Sequence, residues 1–226
     1  MITINDIKKA FGFKSQEIVK ESNYRKLLIN SFPSFLITDI NCVLDIIPLK
    51  DSVYIDFYNK RYKIDNLITR GSTTIKLKDE YIALPGRLYF TEPNLEQENS
   101  LTKTQINILN CIYTRHFDGH IRERRLNNLL NNDEFWIIPF KVHLLGEFVM
   151  EILIELDKHI TEKNITEYKK FVLDNPKFWI QTKSRMVSWW NADYRYPKFT
   201  NIKDYIGYKI IKRINNTRLQ KIKPHG

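Results

Sequence analysis

The longest apolar stretch of the chain runs from Pro139 to about His159, and its apolar residues cover most sides of a helical wheel. These residues are Phe140, Val142, Leu144, Leu145, Phe148, Val149, Met150, Ile152, Leu153, Ile154 and Leu156. A helix that is apolar around most of its circumference is usually buried. Pro139 suits the first helical turn, where its missing N–H is not needed. The pattern therefore predicts a buried helix at the centre of the core.

A narrow polar strip interrupts this predicted helix at every fourth residue. It consists of His143, Glu147, Glu151 and Glu155. Since four residues advance a helix by about 400°, these side chains stay on one side of it. A metal would need matching ligands on facing helices, and the sequence has no Glu-x-x-His repeat to supply them. We interpret the strip as structural, paired with arginines such as Arg122, Arg125 or Arg185 or facing water, and we predict no metal and no cofactor.

Within the N-terminal part of the chain, the spacing of apolar residues changes from helix-like to strand-like. Residues 1–48 have helical periodicity, including a helix that Ser15 can cap and that extends to Ile29, although Phe35 to Ile47 fits either helix or strand. Between about 52 and 90, short runs of β-branched and aromatic residues predict strands at 53–58, 73–77 and 81–84. The Pro85-Gly86 pair fits the middle of a type II turn.

The segment from Thr91 to Ser100 is polar and acidic, and it is the best linker candidate in the chain. After it, Thr102 or Thr104 can begin a helix, and the segments 167–173, 178–194 and 202–214 also have helical periodicity. The sequence thus predicts a mostly α protein. A small α+β region over residues 1–98 precedes an all-α domain over 99–226, which is built around the buried central helix.

One short motif lies upstream of that helix, from Phe117 to Leu130. Asp118 can cap a helix whose inner face is Ile121, Leu126, Leu129 and Leu130. The motif resembles the turn and second-helix start of a HEAT-type helical hairpin. The resemblance implies packed helix pairs, but no second copy is found at the HEAT spacing of roughly 40 residues.

The same motif contains His116, Asp118 and His120 in an H-x-D-x-H pattern. Imidazole and carboxylate groups at this spacing can bind a metal or transfer protons. A helix cap flanked by surface histidines explains the pattern more simply, and we favour that interpretation.

The formal net charge of +10 is concentrated in the second part of the chain. Residues 1–100 carry 14 basic and 13 acidic side chains, whereas residues 101–226 carry 22 and 13. Such a field favours an anionic partner, whether phosphate, anionic lipid or an acidic protein.

The C-terminal segment combines basic residues with aromatic ones, among them Trp189, Trp190 and Tyr196. Aromatic rings stack on unpaired bases while basic groups neutralise phosphate, although aromatics at helical spacing more often form core. Tyr205, Tyr208, Ile211 and Ile214 predict a helix with one apolar face and an outward basic face. The candidate residues for binding nucleic acid or another anion are Arg185, Arg195, Lys198, Lys209, Lys212, Arg213, Arg218, Tyr194 and Tyr208.

The two cysteines, Cys42 and Cys111, are far apart among apolar neighbours, which predicts buried, reduced thiols. No signal peptide and no membrane-spanning segment are evident in the sequence, so we expect a cytoplasmic protein.

The sequence contains no nucleophile elbow, zinc-protease motif, phosphate-binding loop or dinucleotide fingerprint, which favours a non-enzymatic protein. We expect a binding or scaffold protein whose helical domain acts on a protein partner in a larger complex. The alternative is a nucleic-acid-binding protein. The second alternative is a metal-dependent nuclease or other hydrolase, since acidic ligands need not be close in sequence. Its candidate ligands are Asp118, Glu123, Glu147 and Glu151.

Overall fold

The computed structural model describes residues 21–49, 52–57, 60–69 and 71–217. Within these residues the chain is mostly helical, with two small antiparallel hairpins near the N-terminus followed by an all-helical region. The predicted fold class is therefore confirmed. None of the helices in the described ranges has the length and apolarity needed to cross a membrane.

The helices and strands follow one another in this order. Residues 21–29 form α1, which is followed by α2 (Ile37–Ile46), β1 (Val53–Phe57), β2 (Lys60–Ile64), β3 (Ser72–Leu77), β4 (Glu80–Pro85), α3 (Leu95–Asn99), α4 (Lys103–Tyr113), α5 (Gly119–Asn127), α6 (Ile138–Leu144), α7 (Met150–His159), α8 (Ile165–Asp174), α9 (Pro176–Trp189) and α10 (Ile206–Asn216). Short 3-10 turns lie at Ser34–Leu36 and Ile202–Asp204, and a π-helical turn lies at Trp190–Tyr194. The predicted cap at Ser15 lies outside the described residues.

The strands form two separate hairpins, β1 with β2 and β3 with β4. In the first hairpin Val53 is paired with Ile64 and Phe57 with Lys60. Strands β1, β3 and β4 match the three predicted strands, whereas β2 was not predicted. Its sequence is mainly basic and its side chains are mainly exposed, so it lacks the apolar alternation that identifies a strand.

The prediction of a type II turn at Pro85-Gly86 is wrong, because that turn requires a positive φ at its glycine and Gly86 does not have one. Gly86 is instead needed for close packing. A Cβ at this position would lie 2.2 Å from Thr69 Oγ1 and 2.9 Å from the Thr69 carbonyl oxygen. The neighbouring backbone is paired there, since the Arg87 N–H donates to Thr69 Oγ1 at 2.7 Å.

Residue contacts group the chain into two compact units. The first contains the residues up to Thr73 together with Ala83–Phe117, and the second contains Thr74–Ile82 and the residues from Asp118 onward. The predicted division into residues 1–98 and 99–226 stays a prediction.

In the first unit, helix α2 packs against α4, and Gln105 Nε2 donates to Asp39 Oδ1 at 2.9 Å. Thr102, one of the two starts that the sequence allows for this helix, is the N-cap of α4, and it forms a capping box with Gln105. The extended segment around Leu88 pairs with Ile68 on one side and His116 on the other. Cys111 is buried as predicted. The prediction is wrong for Cys42, which is exposed because it does not lie on the face of α2 that is buried.

In the second unit, helix α10 packs against α7, α8 and α9, while α5 packs against α7 and α6 against α8. Asn175 fixes the tip of the second hairpin to this unit, because it accepts from the Lys76 N–H at 2.6 Å and donates to the Lys76 carbonyl at 2.8 Å. The core includes Trp136, Phe140, Leu153, Tyr168 and Ile210, all fully buried.

The single helix predicted over Pro139–His159 is in fact two helices, α6 and α7, separated by residues 145–149. Glycine is a poor helix former, and Gly146 lies at the break. A Cβ there would come within 3.0 Å of Arg185 Nε and 3.3 Å of the Thr182 carbonyl oxygen. Every residue from Ile138 to Glu147 is buried, so the central element is buried as predicted, although it is short.

Candidate binding surface

The C-terminal end of α9 continues into the π-helical turn Trp190–Tyr194, which local hydrogen bonds hold in place. Trp190 Nε1 donates to the Phe199 carbonyl at 2.9 Å, and the Phe199 N–H donates to the Tyr194 carbonyl at 3.0 Å. The Tyr194 hydroxyl donates to the Phe148 carbonyl. These bonds tie a loop of the chain to the segment between α6 and α7.

The side chain of Tyr205 packs against this loop. Its ring is fully buried, stacks on Tyr194 with ring centroids 5.5 Å apart, and meets Phe199 edge-on at 5.7 Å. Burial, together with the nearby Tyr194 and Asp193, raises the pKa of Tyr205 far above that of a free tyrosine. The hydroxyl therefore stays neutral, and the ring serves as packing.

Three aromatic side chains in or near this loop are exposed to solvent. Tyr196 is 70% exposed, Phe148 is 44% exposed and Trp189 is 37% exposed. The rings of Phe148 and Trp189 touch, with centroids 5.2 Å apart. Large aromatic side chains are mostly buried in folded proteins. A group of exposed aromatic rings is therefore more often a binding site for a partner than the rest of the surface is.

Two basic side chains of the same segment contact aromatic rings. The Arg195 guanidinium is 5.5 Å from the Trp190 ring and 5.3 Å from the Tyr196 ring, and its Nη1 donates to Asn191 Oδ1 at 3.0 Å. Lys198 Nζ lies 5.4 Å from the Phe199 ring. All three contacts are within the range of cation–π attraction, which holds the cations in place without neutralising them. We call Phe148, Trp189, Trp190, Arg195, Tyr196 and Lys198 the aromatic-basic surface.

Helix α10 has the two faces that the sequence predicts. Ile210, Ile211 and Ile214 are buried, whereas Lys209 and Lys212 are exposed. Residues 175–217 contain nine basic and only two acidic side chains, so this part of the unit is strongly positive.

The structure brings together only some of the predicted anion-binding residues. Arg195, Lys198 and Tyr194 belong to one loop, but Arg185 Nη1 lies 3.3 Å from His143 Nε2 and Arg213 pairs with Asp157 at 2.7 Å. Tyr208 is half-buried, and Arg218 lies outside the described residues. A role for any of these residues in binding stays a prediction.

The predicted polar strip does not form one face, because the helix breaks within it. Glu147 is buried, with its carboxylate 3.7 Å from Arg122 Nη2 and 3.9 Å from His143 Nδ1. Glu151 is exposed at the start of α7, and Glu155 pairs with Lys158 at 2.7 Å. The first half of the strip is therefore an interior ion-pair cluster, and the second half faces solvent.

A second polar cluster, partly exposed, joins Lys141 of α6, His159 of α7 and Asn164, which precedes α8, through Asp133. The fully buried Lys141 Nζ donates to the Asn132 carbonyl at 2.6 Å and lies 3.3 Å from Asp133 Oδ1. His159 Nε2 lies 2.9 Å from Lys141 Nζ and 2.8 Å from Asp133 Oδ1, and Asn164 Nδ2 donates to Asp133 Oδ2 at 2.9 Å. Sequence reasoning missed this cluster, because its members are 5 to 31 residues apart and follow no common period.

Electrostatics within the second cluster favour a neutral histidine and a charged carboxylate. Burial lowers the pKa of His159, and the Lys141 charge lowers it further against the opposing effect of Asp133. Burial acts to raise the pKa of Asp133, but the hydrogen bond from Asn164, the charge of Lys141 and the hydrogen bond with His159 outweigh it, so that pKa lies below its ordinary value.

The H-x-D-x-H residues have structural contacts. Asp118 caps α5, since its Oδ1 accepts from the His120 N–H at 2.9 Å, as the sequence predicts. His120 is exposed as predicted, but the prediction of a surface histidine is wrong for His116, which is buried against Phe117 with ring centroids 4.7 Å apart. Over the described ranges there is no group of three or more histidine, cysteine, aspartate or glutamate residues placed to hold a metal ion.

Comparisons of the whole chain with protein-family models, with curated proteins and with solved structures found no match. The HEAT-type resemblance of residues 117–130 stays a local prediction, and function is inferred from the residues themselves.

Proposed function

We propose that this protein is a non-enzymatic binding protein, and that its helical unit holds a macromolecular partner through the aromatic-basic surface. The observations that support the proposal are the exposure of Trp189, Tyr196 and Phe148 and the contact of the Arg195 guanidinium with the Tyr196 ring. Lys198, in the same segment, is also exposed. Tryptophan, tyrosine and arginine are the residues that most often dominate the binding energy of interfaces.

The surface is also held in place before any partner binds. Trp190, Tyr194 and Phe199 are joined by hydrogen bonds, and Tyr205 supports them from the core. A rigid surface loses less conformational entropy on binding, so more of the contact energy becomes affinity.

Two partner classes are compatible with this surface. A protein partner in a larger complex fits the exposed Phe148–Trp189 pair, which resembles the apolar centre of a protein interface. Nucleic acid is the second candidate, and the nine basic against two acidic residues of 175–217 favour it. We do not propose catalysis, because Asp118 serves as a helix cap and Glu147 faces Arg122 in the interior.

The test is capture of partners from an extract of the producing cells by the immobilised full-length chain. The surface variant carries Trp189→Ser and Tyr196→Ser. The matched control carries Phe35→Ser and Tyr81→Ser, which remove two exposed rings located elsewhere in the chain. All three proteins must first show the same circular dichroism and melting temperature.

We expect the wild type and the control to retain the same macromolecule and the surface variant to lose it. Treatment of the extract with nuclease or protease then identifies the class of the partner. Equal retention by the surface variant and the wild type would show that binding, if present, uses another part of the chain.

A further inference from the structure

We propose that the ligand of the aromatic-basic surface is single-stranded nucleic acid, an inference that rests on the binding function proposed above. Three features support it: the exposed faces of the rings, the way the arginine is held, and the charge of the surrounding segment.

The exposed rings provide faces on which bases can stack. Tyr196 and Trp189 are exposed, and Phe148 extends the apolar area beside Trp189. Stacking requires the flat face of a base to be free, and in a duplex these faces are covered by neighbouring base pairs. The rings therefore favour unpaired strands over duplexes.

Arg195 is held in a manner that suits phosphate. Its guanidinium lies near two rings, Trp190 and Tyr196, and only one of its N–H groups is bonded to Asn191. A guanidinium held over rings keeps its charge, and its planar fork matches phosphate oxygens. A nucleotide contains both a base, which can stack on the rings, and a phosphate, which Arg195 can bind.

The surrounding charge is complementary to a phosphate backbone. Lys183, Lys198 and Lys203 flank the loop, and the segment 175–217 has a large excess of basic residues. Three exposed carboxylates oppose this field, those of Glu151, Asp193 and Asp204. The pKa of Tyr194 is raised mainly by burial, and the charges of Glu151 and Asp193 raise it further. Removal of the Asp193 charge should therefore strengthen the binding of a polyanion.

The experiment is fluorescence anisotropy of the full-length chain with labelled probes over a series of salt concentrations. The probes are an oligothymidine and an oligouridine of roughly 20 nucleotides, longer than many single-strand sites, a duplex of equal length, and a polyglutamate peptide. The proteins are the wild type, W189S/Y196S, R195Q, D193N and the Y81S control.

We expect the wild type and Y81S to bind the single strands more tightly than the duplex or the peptide. W189S/Y196S should weaken this binding by roughly 5- to 150-fold for each of the two rings on which a base stacks. R195Q should weaken binding and reduce the salt dependence, by about 0.7 in the log–log slope for each phosphate that is no longer neutralised. D193N should bind more tightly.

Several results would overturn the inference: no binding of single strands at low salt, equal affinity for the duplex, or equal weakening in the Y81S control. Tighter binding of polyglutamate would assign the surface to an acidic protein segment instead. In each of these cases, capture from extract that still depends on Trp189 and Tyr196 would leave the broader binding function intact.

Discussion

Glu147 is a charged residue within an apolar stretch, and its burial depends on an ion pair with Arg122, which is distant in sequence. Its carboxylate is buried 3.7 Å from the guanidinium of Arg122, which is also buried. Isolated buried charges are very unfavourable, so each of these groups makes the burial of the other tolerable.

Replacement of Glu147 by leucine should therefore lower the free energy of unfolding by about 3 kcal/mol or more, because Arg122 would keep its buried charge without this carboxylate. Urea unfolding measures the change. Glu151→Leu is the matched control, since Glu151 is exposed on the same predicted strip, and its effect should stay within about 0.5 kcal/mol. Equal effects of the two substitutions would contradict an interior ion pair.

His159 makes the stability of the second unit depend on pH. Its pKa in the folded protein lies below the value of 6.5 for a free side chain, mainly because of burial and secondly because of the Lys141 charge. The unfolded chain consequently takes up the proton first as the pH falls, and proton uptake favours unfolding.

We expect this contribution to stability to be complete above about pH 6.5 and to decline as the pH falls below that value. Urea unfolding of the wild type and of His159→Gln between about pH 7.5 and 5 tests this contribution. Glutamine cannot titrate, and both proteins contain the same other histidines, so the difference between them reports on His159. The wild type should lose more stability than the variant over this interval. Parallel pH profiles would show that His159 titrates alike in the folded and unfolded chains.

At the residue scale, the sequence predicted local interactions and missed most distant ones. The Asp118 cap and the helix start at Thr102, one of the two predicted positions, involve neighbours in sequence, so a local rule identifies them. The contact of Lys141 with His159 joins residues 18 apart that share no pattern. Only the folded chain brings them together.

At the scale of elements, the type of each element was predicted better than its ends. The apolar pattern from Phe140 to Leu156 indicates a helix on both sides of Gly146, but it carries no sign of the break there or of the close approach of Arg185 to this glycine. Strand β2 was missed because its pairing with β1, and not an apolar face, defines it.

Gly86 gives a test of one such tertiary constraint. Gly86→Ala should lower the free energy of unfolding by about 1–3 kcal/mol, because its Cβ would lie only 2.2 Å from Thr69 Oγ1 and must displace the paired backbone. Differential scanning calorimetry of the single and double variants measures the effect.

The Thr69→Ala background supplies the control. Removal of the Thr69 hydroxyl relieves the shortest contact, so Thr69→Ala with Gly86→Ala should be less destabilised than the sum of the two single changes. Strict additivity would show that the two side-chain positions do not meet.

At the scale of the whole molecule, the composition indicated a basic helical part rich in aromatics, and the structure describes such a unit. The sequence could not indicate which rings are exposed. Phe148 was predicted to lie in the core, yet it lies beside Trp189 on the surface, because the break after α6 turns it outward.

The four tryptophans allow the central claim to be tested in one measurement. Trp136 and Trp179 are buried, whereas Trp189 and Trp190 belong to the aromatic-basic surface. Nuclear magnetic resonance of the isotope-labelled chain resolves the indole N–H signal of each tryptophan, and Trp→Phe variants assign the signals.

We predict that addition of unlabelled oligothymidine shifts or broadens the signals of Trp189 and Trp190 and leaves those of Trp136 and Trp179 in place. Saturating ligand that leaves Trp189 and Trp190 unchanged, or that moves all four signals equally, would contradict the assignment of this surface as the binding site.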